Sequence, residues 1–480
     1  MKNTKKLFAL TVKEALAMLN SQEISALELT EAVLARIKEM EPEIQAFITV
    51  TADIARAQAK AVDAKRIKGE KLGALAGIPF SMKDVYNTKG VQATAGSKVL
   101  EGYISPYNAT VYEKLLAADA VLVGKTNCDP FGFGTSTENS GYQVTKNPLD
   151  TSRVPGGSSG GAGAAVAYGG GLFAIAEDTG GSIRCPAAFC GLAGLKPTYG
   201  RVSRYGAIAY ASSFDTVGPI AKTVEDAALI MQIIAGKDEL DATSSDFAVP
   251  NYQESLAKPL KGKTIGLPKE YFGEGLEAEV KEVIMQAVAR FEKLGCQVKK
   301  ISLPLTEYAI AAYYVIAPSE ASSNLARYSG IRFGHQVPAE TWKDVMMQSR
   351  GTGFGAEEKR RIMVGTYALS AGYQDQYYKK AQKVRALLKE DFLRALTEVD
   401  VILSPTMPML PFKIGDNTAD PLQMWLADVF TVTLNPTGLP GLTVNAGFSK
   451  EHLPVGMQLI APHFKEEVLF NFGYQYEQNI

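Results

Sequence analysis

The sequence predicts an α/β fold, in which a large mixed, mostly parallel β-sheet is sandwiched between α-helices and buried on both faces. Three observations predict it: helical periodicity opens the chain, short apolar runs alternate with a helical stretch between Gly77 and Gly124, and the same alternation returns after Thr264. In order along the chain, Val12 to Leu19 and Ala26 to Met40 place Leu, Ala, Val and Ile at three- and four-residue spacing, each behind a Thr or Ser able to cap a helix. Ile78 to Met82 and Ala120 to Val123 read as strands, with a helix from Ala109 to Ala118 before the second. Pro155 to Pro219 is dense in Gly, Ala and Ser and almost free of bulky residues before Leu172, so backbone approaches backbone closely there. Gly236 to Lys263 is polar and turn-rich and reads as a connection or flap. Thr264 to Leu267 then starts a strand, Leu276 to Leu294 a helix, and Val399 to Leu403 and Gly441 to Val444 two further buried strands.

At about 150 residues per domain, 480 residues allow roughly three units, but one large α/β domain with an insertion fits as well. We assign a single domain over 1–480, with N-terminal helices to about 70, a Gly/Ser-rich core over 71–220, the connection over 236–263 and a C-terminal portion over 264–480. Fifty Lys and Arg against 51 Asp and Glu give a net charge of −1, which supplies no global attraction for nucleic acid or anionic lipid. Any tRNA contact would come through a partner. Four cysteines, none in Cys-x-x-Cys spacing, argue against a disulfide framework or a zinc site and for a reducing cytoplasm; no metal is expected. Lys13 and Glu14 interrupt the apolar run that an export signal would need after the basic N-terminus. Val154 to Ala176 is free of charge, but eight of its 23 residues are Gly, so no membrane span is expected.

Gly124-Lys125-Thr126 looks like the end of a phosphate-binding loop, but position 119 is Asp and Val121 to Val123 is strand-like where a flexible cradle is needed. Gly156-Gly157-Ser158-Ser159-Gly160 fits the Gly-x-Ser-x-Gly elbow of Ser-His-Asp hydrolases, yet none of the three histidines, His335, His452 and His463, has a telling context. A second serine lies in Asp178-Thr179-Gly180-Gly181-Ser182-Ile183-Arg184, ahead of a helix start at Pro186. Two glycines before a Ser at a helix N-terminus allow main-chain N–H groups to converge on an oxyanion. Lys83 ends an apolar strand, and burial among apolar side chains would make it a base by disfavouring its charged form.

Lys83 behind Gly77-Ile78-Pro79, Ser158 in Gly-Gly-Ser-Ser-Gly-Gly and Ser182 in Asp-Thr-Gly-Gly-Ser-Ile-Arg together resemble the amidase signature family. The resemblance implies the amidase signature fold, with Lys83 as terminal base, Ser158 as a proton relay held by a cis peptide, and Ser182 as the nucleophile that forms an acyl-enzyme. It implies an oxyanion hole from the N–H groups of Thr179, Gly180, Gly181 and Ser182, and a structural role for Asp178 and Arg184. It also accounts for the scarcity of histidine.

Over essentially the whole chain, the sequence is similar to the A subunits of glutamyl-tRNA(Gln) amidotransferases, through Ser136 to Ser140, Gly194 to Ser203, Ser319 to Leu325 and Lys359 to Met363. This implies glutamine as the amide, with Arg361 gripping its carboxylate, Asp428 accepting from its ammonium and Tyr313 adding a hydroxyl, although neighbouring Tyr314 competes for that role. It implies B and C subunits as partners, ATP and Mg used by the partner, no cofactor in this chain, and ammonia passed through a tunnel. Cys128-Asp129-Pro130-Phe131-Gly132-Phe133-Gly134-Thr135, Cys185, Ala162-Gly163 and Asn435-Pro436-Thr437-Gly438 depart from the usual pattern of those subunits near the pocket or tunnel. The alternative is a stand-alone amidase, esterase or carbamate hydrolase of the same family; a catalytically silent scaffold would not need all three polar groups.

Overall fold

Thr11 and Ser25 each accept the N–H of a glutamate three residues on, and Glu14 and Glu28 reach back to the cap N–H groups. These reciprocal boxes satisfy orphan donors and start α1 (Val12–Asn20) and α2 (Ala26–Ile44). The computed structural model describes residues 4–416 and 421–479; Met1 to Asn3 of the basic N-terminal stretch lie outside the described residues. β1 (Phe47–Val50) and α3 (Ala52–Ile67) follow; α3 escapes the sequence reading because it buries only a narrow stripe, Ala55, Ala59 and Val62. Then come β2 (Pro79–Lys83), α4 (Thr110–Ala117), β3 (Val121–Thr126), α5 (Gly160–Tyr168), β4 (Phe173–Asp178), α6 (Arg184–Phe189), β5 (Ala193–Lys196), β6 (Thr216–Ala221) and α7 (Val224–Ile234). After the polar connection run β7 (Thr264–Pro268), α8 (Ala278–Lys293), β8 (Gln297–Ile301), α9 (Ala309–Asn324), α10 (Trp342–Gly353), α11 (Ala356–Leu369), α12 (Tyr378–Ala395), β9 (Val401–Pro405), β10 (Gly441–Phe448) and β11 (Pro454–Ile460).

Among the described residues the strands form one sheet, ordered β1-β3-β2-β4-β6-β5-β10-β11-β9-β7-β8. The fold is mixed α/β, as expected, but the expectation of a mostly parallel sheet is corrected. Neighbours are parallel only at β3-β2, β2-β4, β9-β7 and β7-β8, and the six pairings elsewhere are antiparallel. The reason is physical: β4, β5 and β6 are buried at every position, so the alternation that marks an antiparallel strand with one wet face is erased. No described helix is long and apolar enough to cross a membrane.

Two features of this sheet place the site. β2 and β4 are adjacent and parallel, with Met82 opposite Ile175, so Lys83 and the Glu177-Asp178 pair emerge at the same edge. Helix α5 follows Ser158 directly, and its Gly161 lies so close to the Ala46 and Asn127 carbonyls that a Cβ would sit 2.5 Å from each. Only glycine allows that approach, which explains the small-residue composition.

Candidate active site

Lys83 is fully buried at the end of β2, and its Nζ donates to Ser158 Oγ at 2.8 Å. The same Nζ stands 3.6 Å from Glu177 Oε2, on the neighbouring strand. Its surroundings are therefore not simply apolar, as the sequence suggested. The Gly157–Ser158 peptide is cis. The Ser158 carbonyl accepts the Asp129 N–H at 3.1 Å, and the Asp129 carboxylate accepts the Thr137 and Asn139 N–H groups at 2.8 and 3.1 Å. Burial pushes the Asp129 pKa up to about 7.

Asp178 organises the Ser182 turn. Its carboxylate accepts from Gly181 N–H (2.8 Å), Ile183 N–H (3.1 Å), and Arg184 Nε and NH2 (3.0 and 2.9 Å). Arg184, equally buried, also donates to the Thr431 carbonyl, Gln458 Oε1 and Asn435 Oδ1. Burial alone would raise the Asp178 pKa, but the Arg184 guanidinium overrides it and holds the carboxyl well below the usual range. Replacing Arg184 by Met leaves that carboxylate buried without its cation, so we expect a loss of about 3–5 kcal/mol of stability, read from the denaturant midpoint. Because the folded pKa is depressed, Asp178 contributes stability above its unfolded pKa that disappears as pH falls through the folded value. The R184M variant should lose this acid-side dependence.

Gly181 has φ +136°, and a Cβ on it would strike the Thr431 hydroxyl, while one on Gly180 would lie 2.5 Å from the Tyr313 hydroxyl. Both positions require glycine. The expected set of oxyanion donors is corrected at one member: Gly181 N–H is engaged by Asp178. Thr179, Gly180 and Ser182 N–H have no protein acceptor among the described residues, and the Ser182 hydroxyl has no hydrogen-bond partner there. The two serine loops abut. Cys185 Sγ donates to the Thr135 carbonyl at 3.7 Å, and a Cβ on Gly156 would stand 2.9 Å from that sulfur.

Arg361 reaches the site from α11, whose buried face is Glu358, Arg361, Gly365 and Ala368. Gly365 makes this face possible, because a Cβ there would collide with the Pro318 carbonyl of α9. Arg361 Nε donates to Glu357 at 2.8 Å and one NH1 proton goes to the Tyr210 hydroxyl at 2.5 Å, which leaves NH2 without a protein acceptor among the described residues. The rings of Phe133, Tyr210 and Tyr314 surround the guanidinium, with centroids 5.2 to 5.7 Å away. Asp428 Oδ2 accepts from Thr135 at 2.9 Å and from Tyr314 at 3.2 Å, and burial pushes its pKa up to about 7. Thus Tyr314 touches Asp428, whereas Tyr313 covers Gly180; the two adjacent tyrosines serve different parts of one pocket.

Sequence reasoning missed Glu177 and Tyr210. An acid directly after the apolar stretch Phe173 to Ala176, still within a strand, was the available signal for Glu177; Tyr210, in a loop, carried none. Thr135 and Phe133, noted only as departures, line the pocket. Lys125 lies in β3 paired with Asp84 at 3.0 Å, in keeping with the rejection of a phosphate loop. His463 and His335 bond Thr437 O and Thr352 Oγ1, not the serines.

Residues 28–470 match the Amidase family model. The chain is 53% identical over 474 residues, 98% of each chain, to the A subunit of the glutamyl-tRNA(Gln) amidotransferase of Carboxydothermus hydrogenoformans. It is 52% identical over 469 residues to the corresponding protein of a Cyanothece species, covering 98% of this chain and 97% of the relative. The crystal structure of the Thermotoga maritima counterpart superposes with a TM-score of 0.81 at 40% identity, over 98% of this chain and 94% of the other. With this fold, this pair of serine loops and these relatives, the chain belongs to the amidase family, among the glutamyl-tRNA(Gln) amidotransferase A subunits.

Proposed function

We propose that the chain hydrolyses glutamine as the ammonia-supplying component of a tRNA-dependent amidotransferase. One observation carries the substrate reading: Arg361 and Asp428 both contact Tyr314, beside the Ser182 turn, but are not bonded to each other. A cation whose NH2 and an anion whose Oδ1 have no protein partner among the described residues suit a ligand bearing both a carboxylate and an ammonium, and a neutral amide would leave both unanswered.

In the proposed chemistry, the uncharged amine of Lys83 takes the Ser158 proton while Ser158 takes that of Ser182. Ser182 Oγ then attacks the amide carbon, and the oxyanion is held by the Thr179, Gly180 and Ser182 N–H groups. The relay returns a proton to the leaving nitrogen and ammonia departs. Water activated along the same path cleaves the acyl-enzyme to glutamate. The open Ser182 hydroxyl is compatible with this, since catalytic hydrogen bonds often tighten only when substrate binds. Ammonia would pass to the B subunit, bound together with C, which would use ATP and Mg on glutamyl-tRNA; this chain is assigned no cofactor of its own.

The test compares glutamine with neutral aryl amides, with and without B and C subunits. We expect Arg361→Gln to lower kcat/KM for glutamine by roughly 10- to 100-fold, the worth of one or two hydrogen bonds to a charged group, and to spare the aryl amide. Equal losses on both substrates would refute the glutamine assignment. Brisk aryl-amide turnover with no preference for glutamine would favour the stand-alone hydrolase.

A further inference from the structure

The buried carboxylate beside Lys83 is not required by the relay just described, yet it is placed to govern it. Glu177 is 1% exposed, and neither of its carboxyl oxygens has a hydrogen-bond partner among the described residues. An unsatisfied buried carboxylate is costly unless a cation answers it. The cation at hand is Lys83, whose Nζ lies 3.6 Å from Oε2, an ion-pair separation longer than a hydrogen bond. That placement follows from register, because β2 and β4 are parallel neighbours and both residues sit at their C-terminal ends. Lys83 makes one side-chain hydrogen bond among the described residues, donated to Ser158.

We propose that Glu177 is a positioning residue for the base: its carboxylate holds Lys83 as an ammonium donating to Ser158 in the resting site, so that turnover sets in only where that ammonium releases its proton to solvent. This deepens the proposed mechanism and rests on its assignment of Lys83 as the base. The other titratable groups around the pair are Tyr86, Cys128, Asp129, Arg204 and Asp215. Burial first, and Asp215 next, raise the Glu177 pKa, while Lys83 and Arg204 oppose them. Among the described residues, Lys83 is the cation within ion-pair distance of this carboxyl.

The sign of the test follows from the charge. An anion at this distance favours the ammonium, so removing it must make Lys83 a base at lower pH. In Glu177→Gln, the acid limb of the kcat/KM profile on glutamine should move down by about one to three pH units. Below the wild-type limb the variant would then be the faster enzyme by about tenfold or more, with KM unchanged. A structural role alone would lower the whole curve and leave the limb in place, and that result would overturn the proposal. Should E177Q fail to fold, Glu177→Asp keeps the charge on a shorter arm; its limb should move the same way by less, and an unmoved limb would again overturn the proposal. Lys83→Ala separates the two levels: full activity there would remove the base itself, whereas a dead K83A beside an E177Q with unshifted limb would remove only the role of Glu177.

Discussion

Ser182→Ala is expected to reduce amide turnover by about 10⁴- to 10⁶-fold, the range seen when a serine nucleophile is removed from a hydrolase whose binding groups remain. The loss should fall on kcat, because the groups proposed to bind substrate, Arg361, Asp428 and the two tyrosines, do not bond the Ser182 hydroxyl. Covalent labelling by an acyl-directed inhibitor, followed by mass spectrometry, should place the adduct on Ser182 in the wild type and find none in the variant. The fold should survive, since the turn is anchored through Asp178 and Arg184 rather than through this hydroxyl. Full residual activity, or labelling of Ser158 instead, would show that the nucleophile has been misassigned.

Lys83→Ala carries the second large effect. Among the described residues its amine is the one basic side chain bonded to Ser158, and no histidine there bonds either serine. We expect about a 10²- to 10⁴-fold loss, the usual worth of a general base. The variant also leaves Glu177 without its nearest cation. That carboxyl should then stay protonated, so the cost in stability should be smaller than for R184M, where a strongly ionised acid loses its partner. Rates measured across pH decide it: near-normal turnover at neutral pH would exclude Lys83 as the base, and partial rescue by added small amines would support it.

Much of this protein was legible before any coordinates. The capped helices α1 and α2, the strands β2, β3, β7, β9 and β10, and the helix α8 follow from spacing and caps that act within a few residues. The three candidate groups, a lysine ending a strand and two serines among glycines in a chain with only three histidines, stand out together through their resemblance to the amidase signature. The small residues of α5 are explained by the carbonyls that press on it, a constraint local enough to leave its mark as glycine.

What tertiary structure alone decided depends on contacts between distant parts of the chain. Strand direction was lost to the sequence because full burial removes the alternation that encodes it, and the sheet proved mixed. Asp428 meets Thr135 across 293 positions, and Tyr210 meets Arg361 across 151, pairings that no local pattern records. The engagement of Gly181 N–H and the carboxylate facing Lys83 are of the same kind. Residue type determined which groups could react; the register of β2 against β4 and the packing of α11 on α9 determined which of them meet, because the charge and hydrogen bonding of a buried group are set by its neighbours in space.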